Sequence, residues 1–187
     1  MRVTFYRLAD HQWAHVLIER DDHVVYRMHA GPVTAELPHD LVHYTVEDAL
    51  AISDGIWGAI AGGVVFRSMT HVSGRRPPHA AERSVALIKQ YRDRLQRAEM
   101  LGGFVESAAH QPGSDLDRLT AQAFSTRSER PRVEAIAGAV SALHGAEERW
   151  RALPVGGHVE LNWPAHRRIT APPAGRNREK VTARRHR

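Results

Sequence analysis

The sequence predicts an α+β fold in a single domain. Three short segments with alternating apolar residues open the chain, helical periodicity follows from about residue 38 to residue 153, and another alternating segment occupies residues 158–163. We therefore expect an N-terminal antiparallel meander of about three strands, which the C-terminal strand can join, packed against four to five helices. The 187 residues, 42% of them hydrophobic, suffice for one core.

The three N-terminal strands are expected at residues 2–7, 13–19 and 23–29. In the third of them, Val24, Tyr26 and Met28 alternate with Val25 and Arg27, which indicates one buried and one exposed face. The pair of aspartates at residues 21–22 favours a tight hairpin turn between the second and third strands. This pattern predicts antiparallel neighbours.

Five helical segments follow. The first is expected to begin at Pro38, since proline fits a first helical turn, and to end near residue 51. The second covers residues 56–61 and ends at Gly62-Gly63. After a loop at residues 73–78, a long helix is predicted from about residue 79 to about residue 100. Gly102-Gly103 is expected to interrupt the helical pattern there. Two more are expected around residues 116–124 and 133–153. The apolar face of the long helix comprises Val85, Ile88, Tyr91, Leu95 and Ala98.

The net charge of +5 is unevenly distributed along the chain. From Ala165 onward there are eight basic residues and one acid, so this segment carries +7 and the preceding residues carry −2. The same segment is rich in Pro, Gly and Arg and poor in apolar residues, which is typical of disorder. We therefore predict a domain over residues 1–164 and a basic disordered tail over residues 165–187, whose expected contacts are weak, non-specific ones with anions or nucleic acid.

Several classes of protein are excluded or disfavoured. The absence of cysteine excludes disulfides, thiolate metal sites and a cysteine nucleophile. No stretch is apolar enough for a signal peptide or for a membrane span of about 20 residues, so we expect a cytoplasmic protein. No nucleotide cofactor is expected, because neither a strand-linked G-x-G-x-x-G nor a P-loop motif is present.

A pair of histidines in the first predicted helix is the strongest candidate for a site. His39 and His43 are four residues apart, which in a helix means a rotation of roughly 40° and a rise of about 6 Å. Both rings can then contact one metal ion from the same face. His39 lies in the first turn, where the helix dipole is expected to keep the imidazole neutral, the form that binds a metal. The pair predicts a divalent transition metal, with zinc as the first choice.

Two acidic residues of the same helix are candidates for catalysis. Asp40 occupies the position of the general-base glutamate in the zinc-protease motif H-E-x-x-H, although it is one methylene shorter. Glu47 is eight residues from His39, roughly 12 Å along the axis, which is too far for a third ligand. A third ligand is therefore expected from elsewhere, and the candidates are His15, His71, His79, His110 and Glu82.

Two functions from different classes agree with these features. In the first, the protein binds a metal through His39 and His43, with hydrolytic chemistry assisted by Asp40 or Glu47. In the second, it is a non-catalytic accessory or interaction protein whose first helix is structural. With 13 histidines in the chain, one pair can fall at a spacing of four by chance. A third ligand converging at a solvent-reachable cleft favours the first function, and a buried, hydrogen-bonded pair favours the second.

The segment from Pro38 to Glu47 has the form P-H-D-x-x-H-x-x-V-E, and Asp54-Gly55-Ile56-Trp57-Gly58 follows it. Together with the Trp163-Pro164 ending, it resembles a set of uncharacterised bacterial proteins that share these segments. The resemblance covers the two ends and the first third of the chain better than the middle helices. It implies that the first helix carries a site, and it implies no particular reaction.

Overall fold

The computed structural model describes residues 1–8, 14–29, 33–34, 37–111, 113, 115–127 and 129–170. These residues form an α+β fold, as the sequence predicts. Seven strands are present in them: β1 (Arg2–Arg7), β2 (Ala14–Glu19), β3 (Val25–His29), β4 (Val33–Thr34), β5 (Leu37–Pro38), β6 (Met69–Ser73) and β7 (His158–Asn162). The helices of the same residues are α1 (His39–Ala49), α2 (Ile56–Ala61), α3 (Ala80–Gln90), α4 (Arg92–Ala109), α5 (Leu116–Ala123) and α6 (Val133–Ala152).

Five strands form one antiparallel sheet in the order β6-β3-β2-β1-β7. The predicted meander β1-β2-β3 is confirmed, and β7 joins it beside β1, with Val159 opposite Phe5. Strand β6 was not predicted. Only Met69 of its five residues is buried, so the segment lacks the alternation by which the other strands are recognised. Strands β4 and β5 pair separately, directly before α1.

The core lies between one face of the sheet and the helices. Val3, Phe5, Val16, Ile18 and Tyr26 are buried on that face. Helices α1, α4 and α6 pack against one another over it. At the centre, the ring of Phe5 meets those of Tyr44 in α1 and Trp57 in α2 edge to face, with centroids 6.1 and 5.7 Å apart. The middle of α1 is thereby held against the sheet.

The long helix predicted from residue 79 to residue 100 is in fact two helices. Helix α3 ends at Gln90 and α4 begins at Arg92, with the break at Tyr91. The predicted interruption at Gly102-Gly103 is wrong, because both glycines lie inside α4. The predicted apolar face is partly wrong as well: Val85 is 68% exposed, whereas Ser84 and Leu87 are buried. The described residues therefore contain six helices, compared with the four to five expected.

Residues 165–170 pack against the helices, so packed structure continues past the predicted boundary at residue 164. The backbone N–H of Ile169 donates to the carbonyl of Gly58 at 3.1 Å, and the Ile169 side chain is 4% exposed. Arg167 pairs with Asp48 at 2.7 Å. Gly62 permits this approach, because a Cβ there would lie 2.5 Å from the Ile169 carbonyl oxygen. Residues 171–187, the rest of the predicted tail, lie outside the described residues.

Among the residues that the structure describes, no helix is both long enough and apolar enough to span a bilayer.

Candidate metal centre

Helix α1 brings the two predicted metal ligands together. It begins at His39 directly after Pro38, whose extended backbone (φ −61°, ψ 134°) leads out of β5. His43 lies one turn further on the same side. The two Nε2 atoms are 3.1 Å apart and the ring centroids 4.4 Å apart. The predicted geometry of the His-x-x-x-His pair is thus present in the structure.

The third member of the cluster is Glu99, from α4. Its Oε2 atom lies 3.2 Å from Nε2 of His43. Each of the three residues offers one ligand atom, and these atoms lie within 4.8 Å of one another, so His39, His43 and Glu99 could hold a metal ion. Two ligands about 2.0–2.1 Å from a tetrahedral zinc ion are roughly 3.3 Å apart, close to the two shortest separations found here. Two histidines and one glutamate form a donor set known for catalytic zinc.

Glu99 was not among the candidates for the third ligand. The five predicted candidates lie elsewhere: His15 stacks on Tyr6, His71 contacts the Gly74 carbonyl, His79 precedes α3, His110 approaches Glu147, and Glu82 lies in the first turn of α3.

One feature of the sequence does indicate Glu99. Glu99, Gly102 and Glu106 are spaced three and four residues apart, so they share one face of α4. Small and acidic residues on one helix face provide both space and oxygen ligands for a facing histidine.

The cluster lies at the edge of the helix layer and is open to solvent. The side chain of His43 is 3% exposed, whereas those of His39 and Glu99 are 42% and 52% exposed. His43 thus forms the inner wall, and the other two residues form the accessible rim. A third ligand and solvent access were the two features expected for a metal site rather than for a structural histidine pair.

Gly102 creates the space for the His43 ring. A Cβ atom at this position would lie 2.5 Å from Cε1 and 2.6 Å from Nδ1 of His43. The Nδ1 atom is buried and has no hydrogen-bond partner among the described residues. The polar contacts of the ring are therefore made by Nε2, which lies next to His39 and Glu99. Packing against a glycine, and not a hydrogen bond to Nδ1, holds the ring in this orientation.

Carboxylates surround the two imidazoles. Asp40 raises the pKa of His39 above its usual value of 6.5, against the effect of burial, and Glu99 and Glu106 add to the increase. The His43 ring, in turn, lowers the pKa of Glu99. The helix dipole is expected to lower the pKa of His39, whereas the neighbouring carboxylates raise it. The same surplus of negative charge favours a bound cation.

Asp40 lies beside the cluster and does not belong to it. Its Oδ1 atom is 3.9 Å from Nδ1 of His39, on the opposite side of the ring from the Nε2 that faces His43. At this distance the carboxylate acts on His39 mainly through its charge, which raises the pKa of the ring.

Glu47, the second predicted catalytic residue, serves the start of α2. Its two carboxylate oxygens accept hydrogen bonds from the backbone N–H groups of Ile56 at 2.7 Å and Trp57 at 3.0 Å. Gly55 allows this contact, since a Cβ there would come within 2.5–2.6 Å of the same oxygens. Burial, opposed by the two N–H donors, raises the pKa of Glu47 to about 8. Glu47 is not part of the three-residue cluster.

No protein-family model, no curated protein and no solved structure matches this chain. The geometry of the cluster therefore carries the functional argument.

Proposed function

We propose that this protein binds a divalent transition metal ion, with zinc as the first choice, through Nε2 of His39, Nε2 of His43 and the carboxylate of Glu99. The observation that carries the proposal is the convergence of three nitrogen and oxygen atoms from two helices within 4.8 Å. Imidazole nitrogen together with one carboxylate suits zinc better than it suits calcium or magnesium, which prefer oxygen ligands.

The ligand set supports hydrolytic chemistry as the reaction class. Zinc held by three protein ligands keeps a position for water and lowers the pKa of that water to about 7. Asp40 raises the pKa of His39, and the half-exposed Glu99 leaves the centre accessible to a substrate. Glu47 would act indirectly, by holding the start of α2 behind α1.

A structural role is the second candidate, and one observation favours it. The separations of 3.1 and 3.2 Å around Nε2 of His43 are also hydrogen-bond distances. Hydrogen bonds among His39, His43 and Glu99 could therefore connect α1 to α4 without any metal. This is expected for a non-catalytic accessory protein.

Metal analysis of the purified protein separates the two functions. We expect about one equivalent of zinc, or its uptake on titration, and loss of that equivalent in His39→Ala, His43→Ala and Glu99→Gln. His110→Ala is the matched control, since His110 is also a half-exposed histidine near a glutamate. It should retain the metal.

The structural role predicts different results. Protein that carries no metal and takes up none from zinc, manganese, iron or nickel would refute the proposal. His43→Ala would then lower the free energy of unfolding by about 1–3 kcal/mol, whether or not zinc is present.

A further inference from the structure

A second candidate site lies in a cavity of about 370 Å³ that shares no residue with the metal centre. The cavity is formed by the turn between β2 and β3, the end of α2, one face of α3 and the C-terminal segment. Its volume is within the range of roughly 300–1,000 Å³ found for small-molecule sites.

The charges around this cavity do not balance. Arg20, Arg83 and Arg168 line it together with Asp21 and Asp22. Asp22 pairs with Arg20, and Asp21 accepts a hydrogen bond of 2.6 Å from the N-terminal ammonium group of the chain. Arg83 and Arg168 have no ion pair within the described part of the chain. The charges of Asp21 and Asp22 are thus neutralised. The positive charges of Arg83 and Arg168, about +2 in total, remain without a counter-ion.

Arg20 lines the cavity as a buried guanidinium. Its side chain is only 8% exposed, and its Nη1 atom is buried without a hydrogen-bond partner among the described residues. An unsatisfied donor on a buried cation is costly. That cost in free energy is offset when an anion binds the guanidinium and accepts hydrogen bonds from its N–H groups.

Helix α3 adds a further source of positive potential. Its first residue, Ala80, lines the cavity, and no side chain caps the N-terminus of this 11-residue helix. The first backbone N–H groups of a helix lack intrahelical partners and favour an anion. Leu87, about two turns further along the same face of α3, contributes an apolar wall.

We propose that this cavity binds a phosphate group, either as the free ion or as the monoester of a small organic molecule. The two negative charges of a phosphate dianion match the two positive charges of Arg83 and Arg168. A guanidinium group can also donate two parallel hydrogen bonds to two oxygens of one phosphate. The apolar wall at Leu87 would contact the organic part of an ester. Arg168 belongs to the segment predicted to be a disordered basic tail, and Ile169, packed against Gly58 and Gly62, holds it at the cavity. Part of the basic C-terminal segment thereby becomes part of a defined anion site.

Titration of the full-length protein with inorganic phosphate and with phenyl phosphate, followed by calorimetry and by melting temperature, tests the proposal. We expect saturable binding of at least one of them. Arg83→Ala and Arg168→Ala should each weaken it about tenfold, equivalent to about 1.4 kcal/mol. Both side chains are exposed, so the fold should be unaffected. Arg118→Ala removes an exposed arginine from α5 and is the matched control, which should bind as the wild type does.

If phenyl phosphate binds more tightly than inorganic phosphate, the ligand of the cavity is a phosphate monoester. If the two bind equally, the ligand is the free phosphate ion. No saturable binding of either probe at millimolar concentration would overturn the proposal. Equal binding by the wild type, Arg83→Ala and Arg168→Ala would also overturn it, since phosphate would then be held elsewhere, for instance at a metal bound by His39 and His43.

Discussion

At the scale of single residues, Gly102 and Gly103 stand side by side in α4 and have different surroundings. A Cβ on Gly102 would overlap the His43 ring, whereas a Cβ on Gly103 would have nothing within 4 Å. We expect Gly102→Ala to displace the ring, to lower the free energy of unfolding by about 1–3 kcal/mol and to weaken metal binding. Equilibrium urea unfolding and zinc titration of the variant measure the two effects.

Gly103→Ala is the control for this experiment. Alanine is favoured over glycine inside a helix by about 0.5–1 kcal/mol, so this variant should be slightly more stable and should bind metal normally. If Gly102→Ala were also stabilising and bound zinc as the wild type does, the glycine could not be holding His43 in the geometry described above.

The buried carboxyl of Glu47 predicts how stability depends on pH. Its pKa is raised from 4.5 in the unfolded chain to about 8 in the folded one. Between these values the folded state retains a proton that the unfolded state has lost. The contribution of Glu47 is therefore fully present below about pH 4.5 and is lost as the pH rises through 8, by about 1.4 kcal/mol per unit. Glu47→Gln should remove this slope.

The measurement is the difference in free energy of unfolding between the wild type and Glu47→Gln from pH 5 to pH 8. We expect the wild type to be the more stable at pH 5, because an amide nitrogen cannot accept the second backbone N–H bond. The advantage should shrink towards pH 8. Glu134→Gln, at an exposed position in the first turn of α6, should show no such trend. An advantage that grows with pH would mean that the N–H donors of Ile56 and Trp57 keep the carboxylate ionised.

At the scale of secondary-structure elements, the sequence predicts strands and helices where one face is buried. Strands β1, β2, β3 and β7 alternate in sequence because one side of each faces the core. Strand β6 is an edge strand with four exposed residues, so its sequence has no such pattern. The break at Tyr91 has no glycine or proline beside it, so the local sequence does not mark it.

Only the part of the candidate site that lies on one helix could be predicted from the sequence. The spacing of His39 and His43 is a property of one helix and can be read from the sequence. Glu99 follows 56 positions after His43 and reaches it only because α4 packs against α1. Glu47 lies on the same helix as the two histidines, but its hydrogen bonds to the start of α2 cannot be read from the sequence.

The C-terminal segment provides a prediction at this scale. The buried Ile169 joins a small apolar cluster with Ala59, Val64 and Leu87. Ile169→Ala should lower the free energy of unfolding by about 2–4 kcal/mol through the lost contacts and the cavity left behind. Truncation after Pro164 should cost at least as much. Truncation after Thr170 should change little, because the composition of residues 171–187 predicts no packed structure.

Urea unfolding of the three variants tests these expectations, with the exposed Val155→Ala as a control that should stay within about 0.5 kcal/mol of the wild type. A chain ending at Pro164 that is as stable as the full chain would show that residues 165–170 contribute nothing to the fold, as the sequence alone suggested.

At the scale of the whole molecule, the metal centre joins two helices of the layer that covers the sheet. His39 and His43 lie on α1 and Glu99 lies on α4, and both helices also contact α6. An ion bound to all three residues would be released on unfolding, so binding should stabilise the complete fold. At a free zinc concentration 100 times the dissociation constant, the gain is about 2.7 kcal/mol.

This linkage predicts opposite effects of pH on the metal-free and the zinc-bound protein. Because Asp40 raises the pKa of His39, protonated His39 stabilises the metal-free fold below pH 6.5, and that contribution is lost as the pH rises through the higher folded pKa. Zinc requires the neutral imidazole, so protons compete with it and its stabilising effect grows over the same interval. The difference in melting temperature between zinc-saturated and metal-free protein should therefore increase from pH 5.5 to pH 8, at constant buffered free zinc.

Two variants serve as controls for this measurement. Glu99→Gln should abolish the difference at every pH, while His110→Ala should reproduce the wild-type curve. A difference that does not vary with pH, or one that persists in Glu99→Gln, would mean that the stabilising zinc is bound at other residues.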